Sequence, residues 1–294
     1  MSELSILTNN LAMKVDMDSS LDKNKVIIFD WDDTICPSTF VDRGKVDKYQ
    51  DLPLHLQQTF DAICECAEKC LTAAANYGEV IIITNADDGW VNYSAGKYLP
   101  KLVPFLENVR VVSARSRYEQ FYPNQPLCWK AAAFAHEVNE IYSSWSVPVS
   151  DDGSTSSDSS ASSGSTSSEK RRREVISFGD STAERTAVKI VSQQLESSPK
   201  SVMFLTGPTP MQILGQLSLL ATHMAYVCDH TDSLDLEISA QQAMKTAEAF
   251  VEGSQSPSDM LEKETFTGVV KSSSKRKPRT LNDIFSIWQK SPGS

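Results

Sequence analysis

The sequence lacks several features that define whole classes of protein. None of its apolar runs approaches the roughly 20 residues of a membrane-spanning helix. Residues 1–20 lack the basic start, long apolar core and small-residue cleavage site of a secretory signal. Its 28 basic residues are outnumbered by 38 acidic ones, which gives a net charge of -10. Because broad nucleic-acid binding needs a cationic surface, we do not expect a nucleic-acid partner. The lack of a membrane helix and of a secretory signal predicts no membrane partner and a cytoplasmic or nuclear location.

Cysteine is scarce and is not arranged for metal binding. The chain has six cysteines, and in the cytosol most of them would be reduced. Cys64, Cys66 and Cys70 lack the paired Cys-x-x-Cys spacing of zinc sites, and they fall within an amphipathic helical pattern. We therefore expect them to pack in the core rather than bind zinc. The four histidines are scattered along the chain, and we assign none of them to catalysis.

The sequence does contain a regular alternation of buried strands and helices. Continuous apolar strand patterns, typical of a parallel sheet covered on both faces, occur at 26–30, 79–84, 109–114, 174–180 and 201–206. Helical spacing of apolar residues lies between and after them, at 56–74, 90–106 with an interruption near the prolines, from about 129, and at 182–194 and 210–226. The predicted fold class is α/β, a doubly wound, Rossmann-like parallel sheet of about five strands with helices on both faces.

Three segments fall outside this pattern. Residues 1–23 are expected to form a flexible leader to an α/β domain at 24–252. Residues 147–173 are Ser-rich and acidic and end in a basic cluster, so they are expected to be a disordered insertion. Residues 253–294 are expected to form a mostly disordered basic tail with a short helix at 280–290. The tail's KRKPR motif is typical of nuclear import or of docking to a protein partner, although the tail can equally fold back on the domain.

Carboxylates and other polar side chains collect where the predicted strands end. Ligands of parallel sheets bind beyond the carboxyl ends of the strands. The residues at these positions are Asp30, Asp32, Thr84, Asn85, Asp180 and Glu184, with Lys130 in the helix after the third strand. Bare carboxylates in one cleft raise one another's pKa, and a divalent cation removes that repulsion. Oxygen-only ligation suits Mg²⁺, which often shares a substrate phosphate as a further ligand.

Four stretches of the sequence together resemble the motifs of the haloacid dehalogenase superfamily. They read FDWDDT, IIITN, the lysine in CWKAAA, and ISFGDSTAE, and their order and helical spacers are similar over roughly residues 24–230. The resemblance implies a Mg²⁺-dependent phosphohydrolase that works through an aspartyl-phosphate intermediate. Asp30 would be the nucleophile and Asp32 the general acid and base. Thr84 and the amide of Asn85 would bind the phosphoryl oxygens.

The same resemblance implies the metal ligands and a positioning lysine. Mg²⁺ would be held by the carboxylate of Asp30, the backbone carbonyl of Asp32, and Asp180. Glu184 would lie in the outer metal shell. Lys130 would orient Asp30 and offset its charge.

Each of these roles has a competing structural explanation. The acidic residues after the first strand can be turn residues, since Asp favours turns. Lys130 can face solvent in the first turn of its helix. Glu184 with Ser181 forms an S-x-x-E capping box, a role that is compatible with the metal shell. Asp33 is expected to be an exposed turn residue rather than a ligand, and Trp90 is expected either to border the site or to pack in the core.

A two-component receiver domain is the main rival fold with similar chemistry. It would carry its phosphoacceptor Asp after the third strand, where this sequence reads VRVVSARSR and has no carboxylate. The receiver alternative therefore fails.

The spacing between the motifs leaves no room for a large cap domain. A capless member of this superfamily has an open cleft, so the expected substrate is a phosphoprotein or another bulky phosphate ester, with Arg115 and Arg117 as candidate contacts for it. The alternatives are a phosphotransferase of the same fold and a catalytically silent scaffold.

Overall fold

The computed structural model describes residues 24–145 and 172–253. The strands are β1 (Lys25–Phe29), β2 (Glu79–Thr84), β3 (Arg110–Ser113), β4 (Glu174–Gly179), β5 (Ser198–Met203) and β6 (Leu234–Glu237). They form one six-stranded sheet in the order β3-β2-β1-β4-β5-β6, in which every pairing is parallel. The predicted fold class is confirmed, with one strand more than expected.

Helices cover both faces of this sheet. They are α1 (Ser38–Arg43), α2 (Leu54–Ala75), α3 (Trp90–Tyr98), α4 (Val103–Leu106), α5 (Ala114–Tyr118), α6 (Pro126–Ser144), α7 (Thr182–Gln194), α8 (Pro210–Asp229) and α9 (Ala240–Val251). Successive side chains of a strand point to opposite faces. In β1, Ile27 and Phe29 therefore join the core under α2, α8 and α9, whereas Val26 and Ile28 join the core under α6 and α7. Both faces of the central strand are thus buried.

The strand order reverses between β1 and β4, and this reversal positions the site. From β1 the chain winds outward through β2 and β3, then returns to place β4 on the other side of β1. The backbone N–H of Asp30 donates to the carbonyl of Phe178 at 2.9 Å, so the two strands end side by side. A crevice opens at such a reversal, outside the carboxyl ends of the strands. Residues after β1 and β4 therefore meet at this edge although they are far apart in sequence.

The last strand and helix, β6 and α9, were not predicted. The sequence of β6 is LDLE, which alternates between apolar and acidic residues, as expected of an edge strand rather than of a buried one. Its Asp235 pairs with Arg185 at 2.6 Å and with Lys189 at 2.6 Å. Helix α9 packs closely on α8, where a Cβ on Gly215 would lie only 1.8 Å from the Ala243 carbonyl oxygen. Neither β6 nor α9 contains the continuous apolar run from which the other strands were predicted.

Two further boundaries differ from the prediction. Strand β5 begins three residues earlier than the predicted 201, and it includes Pro199. Pro199 fits because the register between β5 and β6 begins only at Lys200, so the missing N–H is not needed on that side. The predicted loop after β3 contains α5, whose start is capped by the Ser113 hydroxyl, which accepts from the Ser116 N–H. The predicted interruption near Pro100 is present, because α3 ends at Tyr98.

The predicted leader lies outside the described residues, as do the predicted insertion except for residues 172–173 and the predicted tail except for Gly253. The chain before the insertion leaves from the end of α6, and the chain after it enters β4 at the amino edge of the sheet. There the Tyr142 hydroxyl donates to the Glu174 carbonyl at 3.0 Å. In the described residues, the connection from β1 to β2 holds α1, a single 3₁₀ turn and α2, with no large cap domain. Within the same ranges, no helix combines the length and apolar character needed to cross a membrane.

Candidate active site

Three carboxylates from two neighbouring strand ends form a cluster at the carboxyl edge of the sheet. They belong to Asp30, which follows β1, Asp180, which follows β4, and Glu184 in the first turn of α7. One carboxylate oxygen from each lies within 4.8 Å of the others. We call these residues the carboxylate cluster. The prediction that Asp30 and Asp180 meet agrees with this geometry.

Glu184 is held in the cluster by the local structure of the β4–α7 turn. Its carboxylate accepts from the backbone N–H and the hydroxyl of Ser181, which completes a capping box at the start of α7. The predicted capping role is confirmed. A Cβ on Gly179 would lie 2.5 Å from Glu184 Cγ, so only glycine leaves room for this side chain. The sequence GDSTAE therefore fixes the position of the third carboxylate.

Lys130 lies between two members of the cluster. Its Nζ is 2.6 Å from Asp30 Oδ1 and 3.0 Å from Glu184 Oε1. The residue is 0% exposed, so the alternative that it faces solvent is wrong. Burying an ammonium is costly unless charged partners surround it. Lys130 thus supplies one positive charge to a site that carries three carboxyl groups.

The pKa values of the cluster reflect this incomplete compensation. Burial raises the pKa of Asp30 to about 8, with Lys130 opposing the rise and Glu184 adding to it. Burial, and then the charges of Glu184 and Asp33, raise the pKa of Asp180 to about 7. Burial also acts to raise the pKa of Glu184, but the charge of Lys130 and the capping hydrogen bonds outweigh burial. The pKa of Glu184 is therefore lowered. The cluster alone therefore holds protons near neutral pH, and an added cation would take their place.

Comparisons with known proteins find no match. No protein-family model, no curated protein and no solved structure matches the chain. A function can therefore be argued only from the sequence motifs and from the geometry of the site.

Asp32 is placed beside the cluster and is held by donors from three separate elements. Its Oδ1 accepts from Ser38 Oγ at 2.5 Å and from the indole Nε1 of Trp90 at 2.8 Å. Its Oδ2 accepts from the Thr84 hydroxyl at 3.2 Å. The donors come from α1, α3 and the end of β2. Asp32 is thus anchored by hydrogen bonds and is not one of the three carboxylates in the cluster.

Asp33, the next residue after Asp32, stabilises the turn that carries them both. Asp33 has a positive φ of 54°, a backbone conformation that Asp tolerates better than most residues. Its carboxylate accepts from the Thr39 N–H at 2.9 Å and from the Thr39 hydroxyl at 2.5 Å. The residue is only 7% exposed, so the expectation of an exposed turn residue was wrong, although it is a turn residue. Pro37, the N-cap residue of α1, has no side-chain acceptor for the free N–H groups at the start of this helix. The Asp33 carboxylate provides that acceptor instead.

Thr84 and Asn85 lie next to this group, at the end of β2. The Thr84 hydroxyl accepts from the Ala86 N–H at 3.0 Å while it donates to Asp32. The Asn85 amide nitrogen contacts the Pro126 carbonyl at 3.4 Å, at the start of the helix that carries Lys130. Among the described residues, Asn85 Oδ1 is buried and has no hydrogen-bond partner. Their phosphate-binding roles stay predictions.

The two candidate substrate-contacting arginines differ in their surroundings. Arg117 pairs at 2.5 Å with Glu137, a fully buried carboxylate that Arg110 also contacts. Its charge is therefore engaged in balancing a buried acid. Arg115 pairs with Glu119 at 3.0 Å and with Asp87, in the loop after β2, at 3.6 Å, and its side chain is 42% exposed against 45% for Arg117. The roles of Arg115 and Arg117 as contacts for a substrate stay predictions.

Sequence reasoning missed the roles of Ser38 and Trp90. Both lie just after a strand-end motif, in DDTICPS and in NADDGW, so their distance from the strand ends was the available signal. Hydrogen bonding to Asp32 depends on how the two turns fold, which no spacing rule gives. Trp31 is 0% exposed and belongs to the core. Cys64, with the other cysteines, is also buried, as expected.

Proposed function

We propose that this protein is a Mg²⁺-dependent phosphohydrolase of the haloacid dehalogenase type, located in the cytoplasm or nucleus. The observation that carries the proposal is the buried Lys130 ammonium, 2.6 Å from Asp30 and 3.0 Å from Glu184. A carboxylate that is held by a lysine beside further carboxylates is arranged for nucleophilic attack on phosphorus. The raised pKa of Asp30 and Asp180 is the reason why such a site needs a cation.

The donor set fits Mg²⁺. The three carboxylates of the cluster offer only oxygen, and their ligand atoms lie within 4.8 Å of one another. Hard divalent cations prefer such ligands, and Mg²⁺ usually keeps several waters beside one or two carboxylates. Asp30 and Asp180 would hold the ion, with the backbone carbonyl of Asp32 and the outer-shell Glu184 as the resemblance implies. When bound, Mg²⁺ neutralises charge on the phosphoryl oxygens.

The residues of this chain then divide the reaction between them. A carboxylate oxygen of Asp30 attacks phosphorus, which forms an aspartyl-phosphate and breaks the bond to the leaving oxygen. Lys130 holds Asp30 in place, and Asp32 donates a proton to the leaving oxygen. Asp32 next takes a proton from a water molecule that attacks the phosphorus of the aspartyl-phosphate. This second step releases inorganic phosphate and restores the Asp30 carboxylate.

The surroundings of the cluster support a bulky substrate. In the described residues, no large cap domain covers the carboxyl edge of the sheet. Tyr93 in α3 is 58% exposed, and Phe121 between α5 and α6 is 65% exposed; both follow strands that end at this edge. Exposed aromatic side chains favour contact with a protein surface. We therefore propose a phosphoprotein or another bulky phosphate ester as substrate. Tail docking to a partner stays a prediction, because residues 254–294 lie outside the described part of the chain.

The first test is hydrolysis of p-nitrophenyl phosphate with Mg²⁺, and again with excess EDTA. We expect Mg²⁺-dependent release of phosphate that is lost in Asp30→Asn. The matched control is Asp87→Asn, which removes a carboxylate from an exposed loop near the site. Acid-quenched protein should carry one phosphoryl group in the wild type but not in Asp30→Asn, as measured by mass spectrometry.

Two outcomes of this test would redirect the proposal. Release of p-nitrophenol in excess of phosphate when an alcohol is added would identify a phosphotransferase. Absence of turnover, with no Mg²⁺ binding by calorimetry, would contradict the enzyme and favour a silent scaffold. If turnover occurs, a panel of phosphopeptides against small phosphate esters measures the preference for bulky substrates.

A further inference from the structure

The hydrogen bonds of Asp32 are divided unequally between its two carboxylate oxygens. Two donors, the Ser38 hydroxyl at 2.5 Å and the Trp90 indole N–H at 2.8 Å, point at the same oxygen, Oδ1. The other oxygen, Oδ2, accepts only the longer bond of 3.2 Å from Thr84 among the described residues. An indole N–H can donate but never accept. Oδ1 is therefore kept as an acceptor, and a proton carried by this carboxyl group belongs on Oδ2.

The helix that carries Trp90 is held to the β1–α1 turn by a second, reciprocal bond between the same two segments. Trp31, next to Asp32, donates its own indole N–H to Ser94 Oγ at 2.8 Å. The Ser94 hydroxyl in turn donates to the Trp90 carbonyl at 2.7 Å. Each of the two tryptophans thus connects the β1–α1 turn with α3. These bonds hold the backbone of α3 beside the turn, so Trp90 starts from a fixed position when its indole N–H reaches Asp32.

We infer that Trp90 is a positioning residue, which fixes the carboxyl group of Asp32 so that Oδ2 carries the proton given to the leaving oxygen. This inference rests on the proposed function and adds to it a residue and an atom. The proton moves from Asp32 Oδ2 to the leaving oxygen as the bond between that oxygen and phosphorus breaks. Without the indole N–H, only the Ser38 and Thr84 hydroxyls hold the carboxyl group. A hydroxyl can accept as well as donate, so the proton can then lie on either oxygen. Protonation of the leaving group then becomes slower, while attack by Asp30 is unaffected.

The consequence depends on how much the leaving group needs a proton. The p-nitrophenolate ion is a weak base and leaves without much help, whereas phenolate is a stronger base and depends on the acid. We expect Trp90→Phe, which keeps an aromatic ring, to lower kcat/KM for phenyl phosphate by about tenfold or more. For p-nitrophenyl phosphate the loss should stay within about threefold. Ser38→Ala, which removes the other donor to Oδ1, should change the ratio of the two esters in the same direction.

The matched control is Trp129→Phe. It removes an indole N–H that donates to the Tyr122 carbonyl at 2.6 Å and makes no contact with Asp32. It should leave the ratio of kcat/KM for the two esters unchanged, whatever it does to stability. Equal losses on both esters in Trp90→Phe would mean that Trp90 has only a structural role, and would overturn the inference.

A measurement without turnover separates this inference from the proposed function. In protein labelled with ¹⁵N-tryptophan, the indole resonance that disappears in Trp90→Phe should shift in Asp32→Asn and stay unchanged in Asp87→Asn. An unshifted resonance would contradict the hydrogen bond itself. If the wild type hydrolyses neither ester, the proposed function fails, and a role of Trp90 in proton donation fails with it. Turnover together with an unchanged ester ratio overturns the inference alone.

Discussion

Neutralising Asp180 is expected to stabilise the protein in the absence of metal. Asp180 is mostly buried, and burial together with the charges of Glu184 and Asp33 raises its pKa from 3.8 to about 7. A raised pKa means that the folded state binds this proton more tightly than the unfolded chain does. Stability is therefore lost as the pH rises from about 4 to about 7, and the full cost is reached above that range.

The size of the effect follows from the same pKa change. The rise corresponds to about 4 kcal/mol of unfavourable free energy for the ionised group at pH 8. Because Asp180 is partly exposed, solvent screening reduces this to about 2 kcal/mol. At pH 5 the group is already protonated in the folded state, and the remaining cost is below about 1 kcal/mol. Asp180→Asn should recover these amounts, since the amide is neutral at both pH values.

The assay is urea unfolding in EDTA at pH 5 and pH 8, followed by circular dichroism. Asp180→Asn should unfold at higher urea than the wild type at pH 8, with a much smaller difference at pH 5. A matched control is Asp87→Asn, at an exposed position near the site, which should change stability little at either pH. Added Mg²⁺ should stabilise the wild type more than Asp180→Asn. An Asp180→Asn variant less stable than the wild type at pH 8 would refute the argument that uncompensated charge opposes folding here.

Two further predictions concern the neighbours of the cluster. Lys130→Met removes the charge that balances Asp30 and Glu184, so we expect a loss of about 3–5 kcal/mol in unfolding free energy at pH 8, as measured by urea unfolding; unchanged stability would show that the two acids need no lysine. Gly179→Ala places a Cβ 2.5 Å from Glu184 Cγ, so Glu184 must move, and calorimetry should find Mg²⁺ affinity weakened by about tenfold. Gly96→Ala, whose Cβ would meet nothing within 4 Å, is the control and should bind Mg²⁺ normally; equal affinity in both variants would contradict a role for Glu184 near the metal.

The sequence predicted the fold class because the buried strands are continuous apolar runs. The run VIIF in β1 is buried on both faces, which is the condition under which such a run arises. The same criterion failed for β6, where Asp235 and Glu237 alternate with leucines at the sheet edge and pair with Arg185. An edge strand exposes half of its side chains, so its pattern resembles that of many loops. Boundaries set by backbone pairing, such as the start of β5, cannot be read from apolarity at all.

The site was predictable only where chemistry follows from position at a strand end. Asp30 and Asp180 meet because parallel strands that reverse in order end side by side, a rule that needs no side-chain detail. The contact of Lys130 with Asp30 came from the resemblance to a known family and not from spacing. The hydrogen bonds of Trp90 and Ser38 to Asp32 depend on the conformation of two turns. Such contacts become visible only when the turns are seen together.

The place where the chain leaves α6 and enters β4 offers a practical handle on this protein. The Tyr142 hydroxyl donates directly to the first residue of β4, so only a short bridge is needed to join these two elements. This junction lies at the amino end of β4, at the opposite edge of the sheet from the carboxylate cluster. We expect that a shorter linker, a purification tag or a fluorescent domain placed there leaves the folded domain intact, which circular dichroism would check.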